Sequence, residues 1–259
     1  MTGAEQVAAA VERNQLAALR ELAQGDRAEL LVSPEMIRVC SGVAYPLLNF
    51  VARPRFDSRT ADGRIASLVS YFVERRVPFL VYRHPSAQPA DLAYHLERQG
   101  LRYAGSQEAM VLQRLDVSPR ANRAVQVEVA RDRLSRLHAA EVHAAAFHLP
   151  PGAAAYLRDC ALATAHDPAV YVYLACLQGI AAGALTLVLK ERVAGLCGLG
   201  TAPAYRGHGV ATALLWRAIF DAAALGYRLA GLQAPTGALG LYRRLGFEAC
   251  FRVEVFAGG

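Results

Sequence analysis

Lysine is nearly absent from this chain. Of its 28 basic residues only Lys190 is a lysine, and the rest are arginines. Together with the abundance of alanine, this reads as coding bias, not function. Tryptophan occurs once, at Trp216. The five cysteines are widely spaced, and no CxxC pair is present. That pattern excludes a disulfide scaffold or a zinc framework and points to a reducing cytoplasm. The opening MTGAEQVAAAVERNQL lacks the apolar core of a secretory signal. No basic run interleaved with aromatics occurs, so no nucleic-acid partner is expected. His138, His143 and His148 recur every five residues, which does not stack ligands on one helix face. No metal site is expected.

What is present is a globular composition: 54% hydrophobic and 19% charged over 259 residues. That length holds one large domain or two small ones. The net charge of +6 is uneven. Up to Ser118 there are 14 basic and 13 acidic residues, against 14 and 9 beyond it. A basic second half suits an anionic ligand. The apolar run Ala169 to Leu189 approaches membrane-spanning length. Gln178-Gly179 interrupts it, so it reads as two buried strands joined by a tight turn, and no membrane partner is expected.

Periodicity predicts an amphipathic helix over Ala4 to Leu22, a strand-rich stretch over Met36 to Val51, and a helix carrying Ile65, Leu68, Val69 and Phe72. A buried strand at Val77 to Arg83 follows. Next come a helix between Pro89 and Gly100 and a strand or hairpin from Leu101. The polar stretch Asp116 to Ala124 reads as a linker. Beyond it the pattern gives a strand, two helices parted by Pro150-Pro151, and three strands (Val170 to Leu177, Ala181 to Leu189, Val193 to Leu199). A long helix from Gly207 to Leu225, a strand, a short helix and a final strand complete it. The closing order of each half matches, with LERQGLRY aligned on YRRLGFEA at Gly100 and Gly246, which suggests a faint internal repeat.

The stretch AYRGHGVATALL places Arg206, Gly207, His208 and Gly209 before an apolar helix. A helix N-terminus presents unpaired N–H groups and the positive end of its dipole. Glycine lets a phosphate approach that backbone closely. An ordinary strand-to-helix turn is the plainer reading. A P-loop is excluded by the missing GxxxxGK, and a dinucleotide fingerprint by Thr212 in place of the third glycine.

With LYRRLGFE downstream, LGTAPAYRGHGVATALL resembles the GNAT superfamily of acyl-CoA-dependent N-acyltransferases. Arg206, Gly209 and Ala211 satisfy that family's pyrophosphate signature, and the resemblance covers roughly Val125 to Phe256. It implies an α/β (α+β) fold, with a mixed, mostly antiparallel sheet flanked by helices. It also implies a degenerate GNAT-like module at 1–118, a linker at 119–124 and an acyltransferase domain at 125–259. Acetyl-CoA would be the co-substrate, its pyrophosphate on the backbone of Arg206, Gly207, His208, Gly209, Val210 and Ala211. Its pantetheine arm would run along Leu199, Gly200 and Thr201, where a strand ending near Leu199 splays from one ending near Gln233. Tyr242 would protonate the departing thiolate after direct attack by a small-molecule amine. On this reading the segment from Ala121 binds coenzyme A by itself and the segment up to Ser118 does not.

Two positions depart from the family. Pro235, with Thr236 next, stands where many relatives carry an asparagine. The strand RVAGLCGLG lacks the carboxylate that serves as base. His148 and Glu141, with Asp159, are the candidate acceptor-side bases, each more readily read as a surface or capping residue. A non-catalytic acyl-CoA or partner-binding module, and another reaction of a coenzyme A thioester, stand as alternatives. An oligomer is compatible with all of these.

Overall fold

The computed structural model describes residues 2–115 and 122–259. The expected linker at 119–124 therefore lies partly outside the described residues. The first helix, α1 (Gly3–Arg20), starts on a reciprocal cap. Thr2 accepts from the Glu5 N–H while the Glu5 carboxylate accepts from the Thr2 N–H. This satisfies two otherwise unpaired donors. After α1 come β1 (Glu29–Val32), β2 (Ile37–Cys40) and β3 (Asn49–Ala52). Next are α2 (Ala61–Glu74), β4 (Phe79–Arg83), α3 (Leu92–Arg98) and β5 (Arg102–Leu112). The second half holds β6 (Val125–Val129), α4 (Arg133–Ala146), α5 (Pro151–Ala163), β7 (Val170–Leu177), β8 (Ile180–Lys190) and β9 (Val193–Thr201). It closes with α6 (Val210–Ala224), β10 (Ala230–Pro235), α7 (Leu239–Arg244) and β11 (Glu248–Gly258).

Two expectations change. The long helix begins at Val210, not Gly207, because Gly207 and Gly209 take φ of +82° and +79°, which a right-handed helix cannot contain. The helix after Pro89 starts only at Leu92. The stretch from Leu101 is one long strand, one of the two forms expected of it. Strand β1 had no sequence signal, since all four of its residues are exposed and do not alternate. The run Ala169 to Leu189 is the antiparallel pair β7–β8. Among the described residues no helix is long and apolar enough to cross a membrane.

The eleven strands of the described residues form one mixed, mostly antiparallel sheet, in the order β1-β2-β3-β4-β11-β5-β10-β9-β8-β7-β6. The halves exchange their last strands: β5 pairs with β10, and β11 pairs with β4 and β5. The core follows the exchange. Met110, Leu112 and Leu115 pack with Leu214, Leu232 and Tyr242 of the second half. Phe256 packs with Ile65, Phe72 and Phe79 of the first. Helix α1 crosses one sheet face, laying Val11 over Gly231 and Asn14 over Gly195. The buried Asn14 amide donates to the carbonyls of Val188, Lys190 and Val193. Helix α4 covers β7 and β8 on that same face, and α6 covers the other.

Candidate functional site

Strands β9 and β10 run parallel, but they pair only from Ala194/Ala230 to Leu196/Leu232. Beyond that point β9 stays with β8 and β10 with β5, so a gap opens between them. Within the gap β9 carries a bulge. Ala184 faces Gly200 and Thr186 faces Cys197, which leaves Leu185 opposite both Gly198 and Leu199. Gly198 sits at φ +61°. A bulge of this kind releases backbone groups from the ladder and re-aims them. The parallel pair of the first half behaves differently. After Ala52/Tyr82 it closes again through Arg55 and Gln88, and the Phe56 N–H donates to the Gln88 carbonyl at 3.0 Å.

Above the gap lies the turn from Arg206 to Gly209. Among the described residues no side chain caps the N-terminus of α6, and a methyl group on Gly207 would meet nothing within 4 Å. Uncapped N–H groups, the helix dipole and left-handed glycines suit a phosphate group. Arg206 is held elsewhere than the sequence suggests. Its Nη2 donates to the Ala146 carbonyl at 3.1 Å and its Nε to the Thr201 carbonyl at 3.4 Å. It thus ties the C-terminus of α4, where carbonyls favour a cation, to the turn. Asn122 was missed by sequence reasoning. Its amide donates to the His208 carbonyl at 2.9 Å and so braces the turn from outside.

Tyr242 lies on α7, 7% exposed, in the same apolar cluster as Val210, Leu214 and Leu232. It meets Phe247 edge to face, with ring centroids 6.0 Å apart. Burial pushes its hydroxyl above the ordinary tyrosine value, so the proton is retained at neutral pH. Pro235 ends β10 as an exposed residue, and Thr236 opens the turn toward α7. His148 is exposed at φ +51° in the link between α4 and α5. That link meets the bulge, since a methyl group on Gly200 would stand 2.9 Å from Ala146 Cβ and 3.4 Å from Phe147. Glu141 is exposed on α4.

His84 is a buried imidazole and His143 a half-buried one, each pushed down to about 4 chiefly by desolvation. In the unfolded chain such groups titrate near 6.5. Between those values the unfolded state binds more protons than the folded one. Their contribution to stability is therefore complete above about pH 6.5 and lost as pH falls toward 4, worth roughly 3 kcal/mol at most for the enclosed His84. Thermal melts should show Tm falling from neutral to mildly acidic buffer. A Tm that is level across that range would contradict this assignment.

Residues 134–247 match the family described as Acetyltransferase (GNAT) family. No curated protein matches the chain by sequence. Among solved structures, a GCN5-related N-acetyltransferase from Kribbella flavida is similar at a TM-score of 0.72 and 18% identity, covering 96% of this chain and 95% of that one. One from Sphaerobacter thermophilus is similar at 0.66 and 19%, covering 98% and 90%. A tandem GNAT protein from the clavulanic acid biosynthesis pathway is similar at 0.61 and 13%, covering 90% and 84%. At such identities the likeness speaks for the fold, while the family match speaks for the chemistry of the second half. The chain thus carries an acetyltransferase domain of the GNAT family over residues 134–247.

Proposed function

We propose that the chain transfers acetyl from acetyl-CoA to a small-molecule amine by direct attack in a ternary complex. The observation that carries this is the parting of β9 from β10 directly below an uncapped, glycine-flanked helix N-terminus. Acetyl-CoA, when bound, would supply the acetyl thioester. The backbone N–H groups from Gly207 to Ala211 hold its pyrophosphate, with His208 and Arg206 shaping the turn. Leu199, Gly200 and Thr201 offer strand-like backbone to its pantetheine arm. One N–H of that stretch polarises the thioester carbonyl. Tyr242 gives its proton to the departing sulfur. His148 and Glu141 stand on the acceptor side.

The same reading divides the chain into a module at 1–118 that lacks a coenzyme site and an acyltransferase module at 125–259. The re-closed β3–β4 pair supports it, because no gap remains there for a pantetheine arm. Five unpaired cysteines suit a reducing cytoplasm.

Free thiol release from acetyl-CoA, measured with a panel of amino acids, amino sugars and polyamines and followed by product mass, tests the proposal. Thiol release with an acetylated amine is the expected result. Coenzyme A binding without turnover on any amine would leave only a binding module. Within the active protein, Tyr242→Phe should slow turnover by about 100-fold while coenzyme A affinity holds. Full activity in that variant would remove Tyr242 from the proton step.

A further inference from the structure

We propose that His143 takes the proton that the acceptor amine loses, through its Nδ1. This rests on the acyl-transfer reading above. The chemistry needs such a group, because an amine nitrogen becomes acidic as its bond to the acyl carbon forms. No carboxylate stands on β9, the strand that borders the gap. Tyr242 is committed to the opposite task of giving a proton to sulfur.

His143 is placed for the work. It lies in the last turn of α4, and its Nε2 is 3.4 Å from where a methyl group on Gly198 would stand. Its Cδ2 is 3.5 Å from the equivalent point on Gly200. The ring thus covers the bulge on the face of the sheet that α1 and α4 share. Phe147 stacks beside it, with centroids 6.1 Å apart and planes inclined by 26°. Arg206 anchors the same turn of α4 through the Ala146 carbonyl. Position is therefore fixed from three sides.

The two ring nitrogens are unlike. Nε2 is sealed from solvent and has no hydrogen-bond partner among the described residues. It faces Gly198, 3.4 Å from where a methyl group there would stand. A proton on Nε2 leaves the lone pair on Nδ1. Nδ1 is not sealed in the same way, and the residue as a whole is only half-buried. Burial keeps the imidazole neutral at neutral pH, so the lone pair is available. Glu141 is two residues away along α4, on another side of the helix, and exposed.

The step balances. The C–N bond forms and the C–S bond breaks. The proton on nitrogen passes to Nδ1 of His143, and the Tyr242 hydroxyl proton passes to sulfur. Proton exchange with water restores both side chains.

Wild type, His143→Phe and His143→Ala decide the matter. The phenylalanine keeps a ring beside Phe147, and the alanine leaves room for free imidazole. Coenzyme A affinity is read by calorimetry, thiol release from acetyl-CoA with each amine of the panel above and with water alone, and the His143 ring signals by NMR during coenzyme A titration. His143→Phe should slow thiol release by about 100-fold at unchanged coenzyme A affinity. Added imidazole should restore part of the rate to His143→Ala, and the ring signals should move as coenzyme A binds. An unslowed His143→Phe, an affinity loss that accounts for the slowing, an alanine variant deaf to imidazole, or unmoved ring signals would each overturn the proposal. A wild type that binds coenzyme A yet releases no thiol would fail the acyl-transfer reading itself, and this proposal with it.

Discussion

Gly209→Glu should abolish coenzyme A binding while leaving the protein folded. Gly209 stands at φ +79° immediately before α6, where a methyl group would come 3.3 Å from Asn122 Cβ. A side chain there is strained by about 1–2 kcal/mol, small against a typical folding stability. The charge matters more. A carboxylate about 4 Å from a phosphate, at a surface-like dielectric, costs about 4 kcal/mol per charge pair, or roughly a thousandfold in affinity. It would also satisfy the uncapped N–H groups itself. Calorimetry on the variant, with a melt as folding control, reads both effects. Retained affinity would remove the phosphate from this turn.

Separating the halves should be more damaging still. Motifs alone suggest that the segment from Ala121 binds coenzyme A unaided, but the strand exchange reverses that expectation. A fragment of residues 122–259 keeps β11 and loses both of its partners, β4 and β5. It also loses Met110, Leu112 and Leu115 from the core that holds α6 and Tyr242. Three buried side chains of this kind contribute roughly 5–9 kcal/mol, comparable with the whole stability of a domain. The fragment alone should show no cooperative melt and no coenzyme A binding. Co-expression with residues 1–115 should restore both. A fragment that melts cooperatively and binds unaided would show that the exchanged strands are dispensable.

The glycine turn and the tyrosine helix were legible because each is local. Arg206, Gly207 and Gly209 stand within four residues, and their meaning comes from backbone angles that glycine permits. The buried strands β7, β8 and β9 were legible for a similar reason, being apolar runs bounded by turns. Partner choice was not legible. The apolar run AMVL marks the buried end of a strand, but not that it lies beside β10 and not β4. Strand β1 escaped because ELLV buries none of its side chains and is defined by pairing with β2 alone. The tie from Arg206 to Ala146 and the brace from Asn122 to His208 link residues 60 and 86 positions apart. His143 looked like one member of an unproductive histidine series. Its nearness to the bulge exists only once α4 lies across β9.

Hydrogen–deuterium exchange with and without coenzyme A tests the central claim, a single coenzyme site between β9 and β10. Protection confined to residues 199–211 and the flanking α4–α5 link is the predicted result, with the segment from Arg53 to Ala61 unchanged. Protection at that first-half segment, or none at 199–211, would contradict it.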